Sequence, residues 1–143
     1  MKYEFYIAAR WRNKENVLKL ARGLESRKKI AYNFIEGDGE QYEFKEQEKI
    51  LEPEELMEKF ESIPNWKNDS KVKEIFEVDI QAIKNSEKLI LLLPAGKSAH
   101  IEAGIAYGMG KECIVIGEQK EAESLYLIFS KFYETIEDFV KSV

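Results

Sequence analysis

The sequence is poor in the residues that carry thiol and most metal chemistry. Its 143 residues include one Cys, one His and three Pro. A single Cys excludes a disulfide framework and a cysteine-based zinc site, and a single His excludes a His-rich metal centre. We therefore expect no metal ion and no other cofactor, and the chemistry has to come from other residue types.

Long apolar runs are also missing. No stretch approaches the ~20 apolar residues that span a bilayer, and the start, MKYEFYIAARWR, lacks the apolar core of a secretory signal. These features predict a cytoplasmic protein that does not enter a membrane. Lys and Arg are scattered singly in a chain of formal net charge −5. This pattern disfavours polymeric nucleic acid as a partner and leaves small molecules.

What the sequence does contain is a regular alternation of short apolar runs and amphipathic segments. The predicted strands are residues 3–9, 30–35, 89–93 and 113–116. The predicted helices are residues 14–26, 53–60, 71–87, 98–109 and 136–143. Ser98 and Thr135 are the candidate N-caps of the last two, and Gly110 occupies the C′ position after residues 98–109. Residues 125–132 fit either a short helix or an edge strand. The order predicts an α/β fold with one domain over residues 1–143, a Rossmann- or flavodoxin-like three-layer sandwich with a mostly parallel sheet.

The connection between the first and second halves of the chain is longer than the others. Gly37, Asp38 and Gly39 predict a turn after the second strand. Residues 40–70 are rich in Glu, Lys and Asn and predict an elaborated connection, either a lid over a binding site or a merely solvated helix. Trp66 belongs to this segment.

Ligands of open α/β sheets bind beyond the carboxyl ends of the strands, which here means the loops after Ala9 and Leu93. The first loop contains Arg10, Trp11, Arg12 and Asn13, and the second contains Gly96, Lys97, Ser98 and His100. The second loop leads into a helix whose free N–H groups favour an anion. For Arg10 and Arg12 the alternative is a pair of solvated charges, and for His100 it is a surface hydrogen-bonding group.

Two carboxylates lie where an acidic surface does not need them. The apolar stripe of the helix at 71–87 consists of residues 72, 75, 76, 82 and 83, and Asp79 falls on the same stripe. Burying an unpaired carboxylate is costly, so Asp79 is either a hydrogen-bonded structural acid or, as we favour, a site residue. Glu102 lies one turn inside the next helix, among small residues. It either projects toward a pocket, where the helix N-terminus helps to keep it ionised, or acts as a surface partner of the helix dipole.

The segments around these acids resemble the nucleoside 2-deoxyribosyltransferase superfamily, which includes the 2′-deoxynucleoside 5′-monophosphate N-glycosidases. The likeness rests on YIAA at residues 6–9, DIQAI at 79–83 followed by LILLL at 89–93, and EAGIAYG at 102–108. In that family a glutamate of the E-x-G-x-A helix is the nucleophile at the sugar C1′. An aspartate of the preceding helix contacts the sugar or assists protonation of the base, and an aromatic residue near the end of the first strand lines the site. The resemblance thus implies these roles for Glu102, Asp79 and Tyr6.

The function implied by the resemblance is cleavage or transfer at the N-glycosidic bond of a (deoxy)nucleoside or nucleoside 5′-monophosphate. Arg10, Lys97 and Ser98 are candidate ligands of a 5′-phosphate, and Trp11 or Trp66 is available to stack on a base. Gly96 and His100 complete the predicted substrate-binding set. Two alternatives stay open, an NAD-cleaving glycohydrolase that uses the same glutamate and a non-catalytic nucleotide-sensing module.

Self-association is a further expectation from the sequence. Residues 125–133 are rich in aromatic side chains, beyond what the edge of a small monomer requires. This segment predicts a homodimer interface, with an ordinary core strand as the alternative.

Overall fold

The computed structural model describes residues 1–37 and 52–143. Asp38 and Gly39 of the predicted turn, and residues 40–51 of the predicted connection, lie outside the described residues. Gly37, the first residue of that turn, has a left-handed backbone with φ of 62°.

The strands and helices alternate along most of the chain. The strands are β1 (Tyr3–Ala8), β2 (Ala31–Asn33), β3 (Ser86–Leu92), β4 (Glu112–Ile116) and β5 (Phe129–Tyr133). The helices are α1 (Lys14–Ser26), α2 (Pro53–Glu61), α3 (Ser70–Lys84), α4 (Lys97–Gly108) and α5 (Ile136–Ser142). Short 3₁₀ turns occupy Trp11–Asn13, Trp66–Asn68 and Ser124–Ile128. Each helix of the described chain is too short or too polar to span a bilayer.

One parallel sheet joins the strands in the order β2-β1-β3-β4-β5. This is the flavodoxin-like order, in which the chain winds to one side of β1 and then to the other. The predicted fold class is therefore confirmed, and the sheet is fully parallel where the sequence predicted a mostly parallel one.

Helices cover both faces of this sheet, as a parallel sheet of buried aliphatic residues requires. On one face, Phe5, Ile7 and Ile90 pack with side chains of α1 and α5. On the other face, Tyr6 and Leu89 pack with Ala82 and Ile83 of α3 and with the small residues of α4. Alternate residues of β1 and β3 thus contribute to two separate cores, and the three layers follow from this alternation.

Several element boundaries differ from the sequence expectation. The helix predicted over 71–87 ends at Lys84, and β3 begins at Ser86, whose hydroxyl donates to the Ala82 carbonyl oxygen at 2.7 Å. Phe76 of the predicted apolar stripe is 58% exposed, because α3 buries its C-terminal part against the sheet and leaves its middle beside a cavity. The open choice over 125–132 resolves into a 3₁₀ turn followed by β5.

The helix ends give a mixed result. Ser98 is not the cap of α4, since the helix begins at Lys97 and Gly96 occupies the N-cap position without a side-chain hydrogen bond. Gly110 has the left-handed backbone expected just beyond the helix end, with φ of 79°. Thr135 caps α5 as predicted, and its hydroxyl oxygen accepts from the Asp138 N–H at 3.1 Å.

Glycine is required at residue 117, directly after β4. Gly117 has φ of 112°, and a Cβ there would lie 2.8 Å from Cβ of Leu93.

We expect Gly117→Ala to lower the free energy of unfolding by about 2 kcal/mol or more, because strain and overlap add. Gly104→Ala is the matched control, since a Cβ at Gly104 meets nothing within 4 Å. It should raise stability by about 0.5–1 kcal/mol in denaturant titrations. Equal effects of the two substitutions would contradict this account.

The predicted homodimer segment places large apolar side chains on the surface beside the edge strand β5. Leu127 is 83% exposed, and Leu125 and Phe132 are also exposed.

Because exposed apolar patches at a sheet edge favour self-association, we expect a dimer in a mass measurement in solution. Leu127→Glu should convert it to a monomer. Ile30→Glu, an exposed residue next to the opposite edge strand, should not. A strictly monomeric parent protein would contradict the expectation.

Candidate active site

A cavity of about 260 Å³ opens at the carboxyl end of the sheet. It lies where β1 is flanked by β2 and β3, the place at which the chain reverses its winding direction. Its walls come from the loop after β1, the end of β2, helices α2 and α3, and the first turns of α4. The topology therefore brings together segments that are far apart in the sequence.

Most of the predicted site residues meet at this cavity. Those that line it are Arg10, Trp11, Asp79, Gly96, Lys97, Ser98 and Glu102. Tyr6 lies behind the lining in the core, 1% exposed, with its ring stacked on Tyr32 at a centroid distance of 5.3 Å. The geometry thus unites the loop after β1, the middle of α3 and the start of α4.

His100 and Trp66 are not brought to the cavity. His100 lies on another side of α4, where hydrogen bonds join its Nδ1 to the Gly96 carbonyl oxygen at 2.8 Å and its Nε2 to the Tyr126 hydroxyl at 2.7 Å. It lines a separate depression near Glu118. Trp66 is 54% exposed in its 3₁₀ turn, with the Lys67 ammonium over its ring.

Glu102 at the cavity wall and Tyr6 directly behind it have polar atoms that are buried without a hydrogen bond. Neither Oε2 of Glu102 nor the Tyr6 hydroxyl has a hydrogen-bond partner among the described residues. Buried polar atoms in proteins are normally paired, so two such atoms at one cavity are unusual. Small neighbours allow Glu102 to reach this depth, since Ala99, Ala103 and Ala106 pack α4 closely on the sheet.

The two carboxylates of the cavity resist ionisation. Burial, and then the negative charge of Asp79, raise the pKa of Glu102 to about 8. The nearby Tyr6 hydroxyl, in contrast, lowers the pKa of Glu102, although the two groups do not have the geometry of an ordinary hydrogen bond. Burial raises the pKa of Asp79 to about 7. The sequence expectation that the helix N-terminus keeps Glu102 ionised is therefore outweighed by burial.

Tyr6 stays protonated beside these acids. Burial, followed by the charges of Glu102 and Asp79, raises the pKa of Tyr6 well above its usual range. Its hydroxyl is therefore available as a hydrogen-bond donor at any ordinary pH. A buried donor that faces two acids is suited to orient a carboxylate or to bind a sugar oxygen.

The start of α4 gives one end of the cavity a positive character. Gly96, Lys97, Ser98 and Ala99 line the cavity with the first turn of this helix, whose N–H groups have no side-chain cap. Within residues 1–37 and 52–143, Arg10 and Lys97 have no ion-pair partner. In the same residues, no group of three His, Cys, Asp or Glu side chains is arranged to hold a metal ion.

The rest of the cavity wall is largely apolar, and most of it was not predicted. Trp11 and Phe34 lie together with ring centroids 5.9 Å apart, and Met57, Phe60 and Val78 face the same space. A signal for the α2 residues existed in the sequence, because residues 56, 57 and 60 are apolar at helical spacing. Their position over the cavity depends on tertiary structure that a spacing pattern does not contain.

Comparisons with known proteins find likeness in structure and none in sequence. A scan against models of known protein families gives no match, and a search of curated proteins gives none either. Among solved structures, the TIR domain of the Toll-related receptor TRR-2 from Hydra magnipapillata matches with a TM-score of 0.58 and 16% identity, over 99% of this chain and 90% of that one. The CMP N-glycosidase BcmB from Clostridium botulinum matches with a TM-score of 0.57 and 16% identity, over 96% of each chain. The fold is shared with both proteins. At this identity the likeness concerns the fold alone.

The raised pKa values of Asp79 and Glu102 predict how stability depends on pH. In the unfolded chain these groups ionise near pH 4, and in the folded protein they ionise at about 7 and about 8. Their contribution to stability is therefore complete below about pH 4 and is lost as pH rises through the folded values. At about pH 9 we expect Asp79→Asn and Glu102→Gln to have a higher free energy of unfolding than the parent. The difference should be on the order of a few kcal/mol, because each unit of pKa shift corresponds to about 1.4 kcal/mol.

Thermal unfolding of each variant beside the parent, from about pH 4 to about pH 9, measures this effect. The difference should be small at the acidic end and grow with pH. Glu137→Gln is the control, because Lys19 holds the pKa of this exposed acid below its usual range and the variant gains no stability at high pH. A parent protein whose margin over Asp79→Asn increases with pH would overturn the interpretation.

Proposed function

We propose that the protein cleaves or transfers at the N-glycosidic bond of a nucleoside 5′-monophosphate and is a member of the nucleoside 2-deoxyribosyltransferase superfamily. The main support is that Asp79 and Glu102 line one cavity with Tyr6 directly behind them, and that Oε2 of Glu102 and the Tyr6 hydroxyl have no hydrogen-bond partner among the described residues. A sugar brings hydroxyl groups that can pair with such atoms. A CMP N-glycosidase with the same fold is consistent with this chemistry.

In the proposed reaction, Glu102 is the nucleophile. A carboxylate oxygen of Glu102 bonds to C1′ while the bond from C1′ to the base nitrogen breaks, and the electron pair of that bond leaves with the base. Asp79 donates the proton that the departing base takes up. In the second half, water attacks C1′, the bond from C1′ to Glu102 breaks, and the proton of the water returns to Asp79. If a second base attacks in place of water, the product is a new nucleotide.

The proposed reaction needs the singly protonated form of the pair with its proton on Asp79, although the pKa of Asp79, about 7, is the lower of the two. Because Asp79 raises the pKa of Glu102, the two acids titrate as one coupled pair. Near neutral pH the pair loses one of its two protons. The resulting form contains one carboxylate that can attack and one proton that is available to the leaving base. Tyr6 keeps its own proton and orients the Glu102 carboxylate toward the sugar.

The cationic end of the cavity is suited to the 5′-phosphate. The uncapped N-terminus of α4 attracts an anion, and the Lys97 ammonium, the Ser98 hydroxyl and the Arg10 guanidinium are close enough to line the same cavity. The apolar end, with Trp11 and Phe34, then accepts the base by stacking. A volume of about 260 Å³ is near the lower limit for ligand pockets. We therefore propose a mononucleotide as the ligand of this cavity.

The decisive experiment is incubation with a panel of nucleosides, deoxynucleosides, their 5′-monophosphates and NAD, followed by separation of the free base. We expect base release from the monophosphates. Glu102→Gln and Asp79→Asn should each lower the rate by on the order of 100-fold or more, the usual contribution of such groups. Glu77→Gln changes an exposed acid on the same helix as Asp79 and serves as the control.

The alternatives give different results in the same panel. Release of nicotinamide from NAD alone would replace our proposal with an NAD glycohydrolase. Tight nucleotide binding in calorimetry, without base release from any compound, would replace it with a sensing module. Equal rates for Glu102→Gln and the parent would refute the assignment of the nucleophile. Lys97→Ala should raise KM for monophosphates and leave KM for nucleosides unchanged, because only the former have a phosphate.

A further inference from the structure

Helix α2 forms one wall of the candidate active site although it lies outside the sheet and its covering helices. Met57, Phe60 and Glu61 of this helix line the cavity, and the helix contacts the Trp11–Asn13 turn. Leu56, 8% exposed, is its most buried described side chain. The neighbouring Phe60 stays 39% exposed. Its buried apolar contact with the described residues centres on Leu56, and a polar interaction also joins the helix to the Trp11–Asn13 turn.

That interaction is an ion pair with Arg12. The Arg12 guanidinium binds the Glu54 carboxylate with two nitrogens, and Nη2 donates to Oε1 at 2.9 Å. Oε1 of Glu61, near the C-terminal end of α2, lies 3.8 Å from Nη2 of Arg12. The pairing raises the pKa of Arg12 and lowers that of Glu54. Two-pronged binding of this kind fixes direction as well as distance, which a Lys in place of Arg12 would not do.

Asn13, the residue next to Arg12, connects the Trp11–Asn13 turn to the rest of the molecule. Arg12 lies in the Trp11–Asn13 turn, directly after the loop that follows β1. The side chain of Asn13, 8% exposed, donates to the Pro94 carbonyl oxygen at 3.3 Å and accepts from Asn16 at 2.7 Å. The bond to Pro94 connects the turn after β1 to the loop after β3, and the bond from Asn16 connects it to α1. A contact made by Arg12 therefore positions α2 relative to the sheet.

The strength of this contact is limited by its exposure. Glu54 and Glu61 keep 60% and 46% of their side-chain surface in solvent, and Arg12 keeps 32%. Ion pairs of this kind contribute modestly and are screened by salt. The wall that α2 forms is therefore held by a contact that can open and close reversibly.

We propose that Arg12 is a positioning residue that holds α2 across the cavity, so that Met57 and Phe60 face the space where the base of the substrate binds. The position of α2 follows from the contacts of Arg12 alone, whereas the part concerning the base rests on the proposed function. When the pair opens, α2 moves away and the cavity admits or releases its ligand. Arg12 contacts α2 and not the reacting atoms, so it acts on binding and enclosure.

The test uses Trp11, which lines the same cavity, as a fluorescent reporter. The chain has two tryptophans, so Trp66→Phe leaves Trp11 alone and serves as the parent. Collisional quenching by acrylamide reports how freely solvent reaches Trp11. We expect Glu54→Gln, and likewise Arg12→Ala, to raise the quenching constant roughly two- to five-fold. Quenching follows the population in which α2 has moved away from the cavity, and loss of one exposed ion pair raises that population by about this factor. Glu54→Gln is the cleaner variant, because residue 54 is far from Trp11 in the sequence.

Salt and charge exchange separate positioning from a general loss of structure. In the parent, quenching should rise with added NaCl toward the level of Glu54→Gln, whereas the variant should not respond. Exchanging the partners, Arg12→Glu together with Glu54→Arg, and with Glu61→Gln to remove the second acid near residue 12, should restore low quenching. Arg12→Lys should lie between parent and Arg12→Ala, because it keeps the charge and loses the two-pronged geometry. Lys19→Ala removes a remote exposed pair with Glu137 and should change nothing.

The outcomes distinguish this proposal from the proposed function, since quenching needs no substrate. Unchanged quenching in Glu54→Gln and Arg12→Ala, or no recovery in the exchanged pair, would overturn the role of Arg12 even if base release is found. Altered quenching without base release from any compound would leave the role of Arg12 intact and refute the reaction. Where base release occurs, Arg12→Ala should raise KM at least several-fold with a smaller change in kcat, as expected for a residue that acts on binding.

Discussion

A fully parallel sheet has to be covered on both faces, and this constraint decides where chemistry can lie in the molecule. Helices α1 and α5 cover one face and α3 and α4 the other, so a small molecule meets the sheet at the ends of its strands. At the carboxyl end, the loops after β1 and β3 run to opposite sides of the sheet and leave a cavity between them. The position of the candidate site thus follows from topology, and its character follows from the residues placed there.

Burial of two acids at this cavity works against folding. Each carboxylate loses water without gaining a cationic partner among the described residues, which is why the pKa values of Asp79 and Glu102 rise. The surrounding core has to offset this loss. It does so with the aliphatic residues of β1 and β3 and with the stacked rings of Tyr6 and Tyr32. Stability given up at a cavity is typical of sites that bind or transform a ligand.

The fold could be predicted from the sequence because its signals are local. The apolar run at 89–93 and the flanking amphipathic segments required a covered parallel sheet, and the structure has one. Boundaries were less accurate where two tendencies compete. The sequence around Ser86 continues the helical pattern, but pairing of Ser86 with Tyr3 across the sheet ends the helix earlier.

The site was predictable only in part, because only some of its residues are indicated by local sequence patterns. An acid on an apolar stripe identifies Asp79, and the helix after the central strand identifies Glu102. The contribution of α2 depends on an ion pair between residues 12 and 54, and no local pattern indicates such a long-range contact. His100 shows the converse, because a residue close to the site in sequence lies on a different side of α4 and pairs with Tyr126.

The pairing of β1 with β3 also determines when the site can form. Tyr3 lies beside Ser86 and Tyr6 beside Leu89, so most of the chain has to be present before β1 has both of its neighbours. Contacts between residues so distant in sequence form slowly, because a long loop must close first. The cavity therefore needs contacts between distant segments of the chain, and an incomplete chain that ends before α4 contains Tyr6 and Asp79 but lacks Glu102, the second acid of the site.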